Sequence, residues 1–263
     1  MKTKKHKGRD EGWSYAKESG HCNEFLVSSY LKNKGCDTKV IGTKKVDSIL
    51  GKKTPTKPDI LIVSEGRTKK RSLKKSLSGQ VHLNKVSIFI KGYESFYGPI
   101  QPKVKEALYL VFSGSKNISD ILSNPNYNHQ NIKIMDTQRR RKTLCFDTLK
   151  KYDITMFDDM IQWFKDNIMN ITTIVFKTGW VSDDEFYADE VWYKNMVDEE
   201  QTVDEVFSID DIISRVGNHT DKIYAKTKNG GTVINLPFGW VQYHQGGLQF
   251  HHSYVQIKDL FID

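Results

Sequence analysis

Apolar residues recur at helical spacing in several segments of the chain. The clearest are residues 19–35, which end at Gly35, and residues 155–168, where apolar side chains occupy one face. Residues 104–112 and 208–215 show the same spacing over shorter lengths. We therefore predict amphipathic helices in these four segments.

Other segments are rich in β-forming residues and are bounded by turn residues. The strongest run begins at Asp59, continues through a basic turn and returns as a second strand that contains Ser72 and Lys74, which is typical of an antiparallel hairpin. The remaining predicted strands are residues 38–41, 173–177, 190–193 and the whole region from Lys222 onward, where paired glycines at 230–231 and 246–247 indicate turns. Residues 81–96 fit either a helix or an extended connector.

These elements predict a mixed α/β fold, with a mixed β-sheet core flanked by helices and a β-rich C-terminal part. We expect a flexible basic arm at residues 1–12, a core at 13–178, and a C-terminal region at 179–263 packed on that core. No apolar run approaches the roughly 20 residues of a membrane helix, and no secretory signal follows the basic N-terminus. The three cysteines lack disulfide or zinc spacing, so we expect a cytoplasmic protein.

Charge changes this picture by indicating a partner. The 263 residues carry 40 Lys and Arg against 32 Asp and Glu, a net charge of +8. Basic residues crowd into positions 1–8, 67–75 and 139–142, whereas acidic residues concentrate in 182–211. This distribution is typical of a protein that binds a polyanion, although a solvated basic surface would show it too.

Three residues of the predicted hairpin form a candidate catalytic site. Asp59 follows Pro58 at the head of an apolar strand and offers a hard oxygen ligand of the kind Mg²⁺ prefers. Ser72 and Lys74 are two apart on the next strand, so their side chains should project from one face while Leu73 points into the core. Lys74 could then orient or deprotonate an attacking water, which is the chemistry of phosphodiester hydrolysis.

This arrangement resembles the PD-(D/E)XK nucleases, a superfamily that includes many type II restriction endonucleases. Pro58 and Asp59 match the PD element, and Ser72-Leu73-Lys74 occupies the (D/E)XK position with serine in place of the acid. The resemblance implies an Mg²⁺-dependent enzyme, with Mn²⁺ as a substitute, and catalytic roles for Asp59, Ser72 and Lys74. Asp59 would bind the metal ion.

Two further residues acquire possible roles from the same resemblance. Many members carry a glutamate on the first core helix, which implies that Glu24 is a second metal ligand and catalytic residue. The alternative is that Glu24 only complements the helix dipole. Gln80 would contact a scissile-strand phosphate or a metal-bound water, or it is an ordinary surface residue.

A wider similarity spans most of the chain. The order of elements is similar to that of small restriction endonucleases of the HinP and Msp type, which implies a restriction-endonuclease-like fold and cleavage of double-stranded DNA at a specific sequence. The matching stretches include GHCNEFLVSSYL, PDILIV, FKTGWVSDDEFYADEVWYK and the C-terminal GGLQFHHSYVQIKDLFI. A monomer and a homodimer both fit this expectation, and no membrane is involved.

Such an enzyme needs backbone anchors and base-reading side chains. The expected phosphate contacts are basic residues near the site and in a second block: Arg67, Lys69, Lys70, Arg71, Lys75, Arg139, Arg140, Arg141 and Lys142. Glutamines and histidines of the C-terminal strands are candidates for base contacts. They are Gln242, His244, Gln245, Gln249, His251 and His252, of which we favour Gln249 and His251.

Two other functions remain open at the level of sequence. A nuclease encoded by a phage or mobile element, acting in homing or host degradation, would carry the same motif. A catalytically decayed DNA-binding protein would also fit, and the serine at position 72 is the main reason to consider it.

Overall fold

The computed structural model of the chain describes residues 9–42, 44–64, 66–113, 134–136, 142–198, 202–226, 232–244 and 246–262. Its strands, in chain order, are β1 (Asp37–Val40), β2 (Lys45–Val46), β3 (Thr54–Pro55), β4 (Ile60–Ser64), β5 (Arg67–Lys74), β6 (Ser78–Lys85), β7 (Ile134–Asp136), β8 (Lys142–Leu144), β9 (Glu190–Lys194), β10 (Asp204–Ser208), β11 (Tyr224–Lys226), β12 (Val233–Leu236), β13 (Gly239–His244) and β14 (Gly247–Ser253).

The helices surround these strands. The first three are α1 (Arg9–Asn33), α2 (Val86–Tyr97) and α3 (Pro102–Phe112). The later ones are Phe146–Tyr152, Ile154–Asp166, Ile168–Thr172, Ile209–Val216 and Tyr254–Asp259, together with a π-helix at Thr173–Thr178 and 3₁₀ turns at Asp184–Phe186 and Gly217–Lys222. Among the described residues, no helix is both long and apolar enough to cross a bilayer.

Two five-stranded sheets form the framework. The first has the order β1-β4-β5-β9-β10, in which β5 and β9 are parallel and the other neighbours are antiparallel. The second sheet, in the order β11-β12-β13-β14-β6, is antiparallel throughout. Each sheet takes strands from both sides of residue 178. The mixed α/β core and the β-rich C-terminal part expected from the sequence are confirmed.

A small apolar cluster joins α1 to the first sheet. Val27 of α1 and Ile60 of β4 are fully buried, and Leu73 of β5 packs in the same cluster. Burying each of these side chains stabilises the fold by roughly 1.5–3 kcal/mol. The cluster sets the rotation of α1 and of β5, and it thereby decides which of their side chains face away from the core.

The N-terminal helix begins earlier than the sequence indicated. We predicted a flexible arm at residues 1–12 and a helix from Ser19, but α1 already begins at Arg9. Residues 9–12 are therefore helical, and residues 1–8 lie outside the described ranges. The apolar spacing in the sequence begins only after Ser19, so it gave no signal for the first turns of this helix.

Two predicted strands are helical instead. Residues 173–177 belong to the π-helix, where Ile174, Val175 and Phe176 are buried. Their β-branched composition suggested a strand, but the segment continues directly from the helix Ile168–Thr172 and is packed by the core, which overrides propensity. Residues 254–259, expected to extend the last strand, form a helix because the Ser253 side chain caps its first turn.

The sequence left residues 81–96 open between a helix and an extended connector, and the structure contains both. Residues 81–85 are extended, and residues 86–96 are helical. Strand β6 ends at Lys85, and α2 begins at Val86 without any intervening loop. Since β6 lies in the second sheet and β5 in the first, the chain leaves the first sheet immediately after Lys74. Only residues 75–77 separate the end of β5 from the start of β6, so these two strand ends lie close together.

Candidate active site

The backbone holds Asp59 at a junction of three segments. Its carbonyl accepts hydrogen bonds from the N–H groups of Ile41 (2.9 Å) and Gly42 (3.2 Å), and its own N–H donates to the carbonyl of Arg71 (2.8 Å). Pro58, which precedes it, favours an extended entry to β4. The Asp59 side chain is therefore placed by β1, β4 and β5 together.

A chain of hydrogen bonds links the side chains of the predicted motif. Lys74 Nζ donates to Ser72 Oγ at 2.7 Å, and Ser72 Oγ donates to Asp59 Oδ2 at 3.2 Å. The backbone N–H of Leu73 donates to the same carboxylate oxygen at 2.7 Å. Since Leu73 anchors the opposite face of β5, Ser72 and Lys74 are held toward Asp59.

Glu24 approaches this group from α1. Its Oε2 lies 3.4 Å from His21 Nδ1, and a Cβ placed on Gly42 would come within 3.2 Å of the same oxygen. Gly42 also has a positive φ of 52°. The turn after β1 can therefore pass close to the Glu24 carboxylate because residue 42 is a glycine. With α1 starting at Arg9, Glu24 is far from the helix N-terminus, and the helix-dipole explanation of its position is wrong.

Burial disfavours the charge of both carboxyl groups. Burial raises the pKa of Asp59, and the opposing effects of Lys74, the Leu73 N–H and Ser72 do not cancel that rise. Burial and then the negative charge of Asp59 raise the pKa of Glu24. Burial also lowers the pKa of Lys74, against the opposing charges of Asp59 and Glu24. A site with two such carboxylates favours a bound cation.

The donor set fits a hard divalent ion. No group of three or more His, Cys, Asp and Glu side chains in the described part of the chain is arranged as a metal cage. Magnesium, however, is commonly held by one or two carboxylates together with water and substrate phosphate. Asp59 and Glu24 supply two carboxylates, and only Oδ2 of Asp59 is engaged by the hydrogen bonds described above.

A cavity of about 310 Å³ adjoins these residues and contains groups that the sequence did not single out. Besides Asp59, Ser72 and Lys74, its walls include Lys57, His82, Asn84 and Trp180. Burial and then the charge of Lys74 lower the pKa of Lys57 to about 7, although Asp59 opposes the shift. No local pattern marks a lysine two residues before Asp59 as part of a site, so only the tertiary structure could find it.

Several predicted phosphate contacts are engaged in ion pairs. Arg71 Nε lies 2.5 Å from Glu190 Oε2, and Lys69 Nζ lies 3.1 Å from Glu190 Oε1. Lys70 Nζ lies 3.9 Å from Asp189 Oδ1. The strand pairing of β5 with β9 brings these acids from a distant segment, so part of the basic charge at 67–75 is neutralised within the protein.

The remaining basic candidates fall into two groups. Arg67 is exposed, and Lys75 Nζ donates to Ser19 Oγ at 2.6 Å. Among the described residues, neither forms an ion pair with an acidic side chain. Arg139, Arg140 and Arg141 lie outside the described residues, and Lys142 begins β8.

Three glutamines cross the second sheet in a row. Gln242 Nε2 donates to Gln249 Oε1 (2.9 Å), and Gln249 Nε2 donates to Gln80 Oε1 (2.6 Å). His251 stacks on Trp240 with ring centroids 4.6 Å apart. Gln80 thus shares a face with Gln249, and it is not among the described residues that line the cavity at Asp59. Gln245 falls outside the described ranges.

His252 faces the interior of the protein, away from the row of glutamines. It is 2% exposed, and its Nδ1 lies 2.8 Å from the hydroxyl oxygen of Tyr193. Neighbouring strand residues face opposite sides, which separates it from His251. Burial, and then the charges of Lys74 and His251, lower the pKa of His252 to about 3.

We expect this histidine to make the fold sensitive to acid. Above pH 6.5 the His252 ring is neutral in both the folded and the unfolded protein. Below pH 6.5 the unfolded protein binds a proton at this ring, whereas the folded protein does not until the pH approaches 3. The free energy of unfolding should fall by about 3 kcal/mol between pH 6.5 and 4 through this group. Urea unfolding of His252→Asn should show a correspondingly weaker pH dependence, with His219→Asn as the control; parallel curves for wild type and His252→Asn would contradict it.

Comparison with known proteins gives a likeness in structure but none in sequence. No protein-family model matches the sequence, and no curated protein matches it. The structure is similar to a crystal structure of the restriction endonuclease MspI in complex with its cognate DNA. The TM-score is 0.43 at 14% identity, over 82% of this chain and 70% of that one. A likeness of this size transfers no residue role between the two chains.

Proposed function

We propose that the protein is an Mg²⁺-dependent endonuclease that hydrolyses phosphodiester bonds of double-stranded DNA at a specific sequence. The observation that carries the proposal is the hydrogen-bond chain from Lys74 through Ser72 to Asp59, with Glu24 brought beside it from α1. Two carboxylates that can hold a divalent cation, beside an amine that can act on the attacking water, suit metal-assisted hydrolysis of a phosphodiester.

Each side chain has a distinct part in this proposal. Asp59 and Glu24 would hold the ion, and bound Mg²⁺ would supply Lewis-acid chemistry toward a phosphate oxygen. Ser72 uses its hydroxyl to fix Lys74 relative to Asp59. Lys74 Nζ, oriented in this way, has further N–H groups to offer to the attacking water or to the phosphate. Mn²⁺ accepts similar oxygen ligands and is expected to substitute.

The positive charge of the protein supports DNA as the substrate. A net charge of +8, with Arg67 and Lys75 lacking acidic partners in the described structure, suits a polyanion. We also propose Gln249 and His251, on the face that carries the glutamine row, as base-reading residues. Gln80 joins that face through its contact with Gln249.

The function is tested by incubating supercoiled plasmid with the purified protein in Mg²⁺, Mn²⁺ or EDTA. We expect linear or nicked products with either ion and none with EDTA. Intact plasmid in all conditions would refute the proposed nuclease activity and favour the alternative of a DNA-binding protein without catalytic activity. Sequencing the product ends separates the remaining alternatives, because a site-specific enzyme gives one recurring sequence whereas a degradative nuclease gives many.

Replacing Ser72 by aspartate tests whether that position lies next to the ion. The Ser72 side chain is buried and contacts Asp59, so an added carboxylate should raise Mg²⁺ affinity about tenfold. Without metal, the extra negative charge beside Asp59 and Glu24 should lower the thermal midpoint. Isothermal titration with Mg²⁺ measures the affinity, and Ser76→Asp, on the exposed turn after β5, is the matched control. Equal affinities in the two variants would place Ser72 away from the ion.

A further inference from the structure

The cavity beside Asp59 contains hydrogen-bond donors that the protein leaves unused. Trp180 is 4% exposed, and its indole N–H has no hydrogen-bond partner although it is buried. An unpaired buried donor is destabilising, so such groups are rare unless a ligand or a water molecule accepts their hydrogen bond. Trp180 lines the cavity, and its benzo ring is fixed against Gly92 of α2, where a Cβ would come within 2.5 Å.

Lys57 brings an amine to the same cavity. Its Nζ donates to the carbonyl of Val175 in the π-helix and lies 3.3 Å from His82 Nδ1. A lysine ammonium has three N–H groups, so one remains without a partner among the described residues. The backbone makes room for this side chain, since a Cβ on Gly179 would lie 2.9 Å from Lys57 Cε.

The His82 ring contacts both Lys57 and Trp180. His82 contacts Lys57 through Nδ1, and its ring packs edge-on against Trp180 with centroids 5.4 Å apart. The cavity that both residues line also contains Asp59 and Lys74, and it reaches the surface at Pro55, which is exposed. The unused donors of Trp180 and Lys57 therefore line one cavity together with Lys74. This cavity opens to solvent beside Asp59.

We propose that Lys57 and Trp180 form a phosphate-binding subsite that takes a phosphate of the substrate strand next to the one that is cut. A phosphate oxygen carries negative charge and accepts several hydrogen bonds, which suits a lysine and an indole N–H that line the same cavity. The inference rests on the proposed nuclease function for the identity of the strand, but the subsite itself can be tested without cleavage.

The experiment follows the indole ¹H–¹⁵N signals of the full-length protein without divalent metal, so that no DNA is cut. The chain has five tryptophans, and Trp180→Phe assigns the relevant signal. The probes are inorganic phosphate and a short DNA duplex. We expect both to shift the Trp180 signal. The Trp192 indole, which donates to Asp204 at 2.7 Å, serves as the internal control.

Variants then test the lysine. Lys57→Met should weaken phosphate binding, measured through the Trp180 signal, about tenfold or more, because a charge-assisted hydrogen bond is lost. Lys52→Met removes the same charge from an exposed position of the same segment and should bind like the wild type. An unchanged thermal midpoint and Trp192 signal establish that Lys57→Met is folded; if it is not, the wild-type response to the two probes decides alone.

The outcomes separate the subsite from the nuclease function. A silent Trp180 signal with both probes overturns the subsite and leaves only water in the cavity, and this holds even if the protein cuts DNA. A response to inorganic phosphate but not to duplex also overturns it, because the site would then serve free phosphate. If both probes shift Trp180 in a protein that does not cleave plasmid in Mg²⁺, the subsite stands and the nuclease function falls.

Discussion

Asp59→Asn is expected to slow DNA cleavage about 10³-fold or more, because the substitution removes the carboxylate that we propose as the principal ligand of the metal ion. Asparagine has almost the same shape, and its carbonyl oxygen can still accept from the N–H of Leu73. The loss should therefore appear in the cleavage rate and in Mg²⁺ affinity, with DNA affinity close to that of the wild type.

The same variant should fold at least as well as the wild type. Burial raises the pKa of Asp59, which means that the folded protein disfavours its charge. Replacing it by a neutral side chain should leave the thermal midpoint unchanged or raise it. Asp158→Asn, at an exposed position of the helix Ile154–Asp166, is the matched control. Wild-type cleavage by Asp59→Asn would remove the central residue of the proposed site.

Lys74→Met should reduce the cleavage rate about 10²–10³-fold, since it removes the amine that orients or activates the attacking water. Methionine is similar in length and unbranched, so the space beside Ser72 stays filled. Because burial lowers the pKa of Lys74, the fold disfavours its charge as well, and we expect no loss of stability. The rate is measured in single-turnover cleavage, and DNA binding by fluorescence anisotropy without divalent metal.

Lys39→Met provides the comparison for this variant. Lys39 lies on β1 of the same sheet and is exposed, so its loss removes equal charge without touching the hydrogen-bond chain. If both variants slow cleavage to the same small extent, the effect of Lys74 is one of general charge, and its assigned role is wrong. A large difference confined to Lys74 supports the role.

The hairpin that carries Asp59, Ser72 and Lys74 could be predicted because its information is local. The two strands follow each other within a short span, β propensity and a basic turn mark both, and the alternation of side chains decides that Leu73 is buried. Residues 173–177 show where the same reasoning fails, because propensity indicated a strand and the surrounding core imposed a π-helix.

The basic segment 67–75 illustrates a different limit. In the sequence it is a cluster of positive charge, yet β9 places Glu190 beside Lys69 and Arg71. Burial raises the pKa of Glu190, but the hydrogen bonds from Arg71 and Lys69 outweigh it and the net shift is downward. Lys69 and Arg71 thus pair with an acid of the same sheet. Fewer basic residues remain to bind phosphate than the number of positive charges in residues 67–75 predicts.

The sequence by itself determined the mixed α/β class, the hairpin and the three residues of the motif, since each follows from spacing over a few positions. Tertiary structure decided what surrounds them. It brought Glu24 from α1 to Asp59, paired β5 with β9, and enclosed Lys57 and Trp180 in one cavity with the motif. Contacts between distant segments depend on how helices and sheets pack, and no local pattern of residues encodes that geometry.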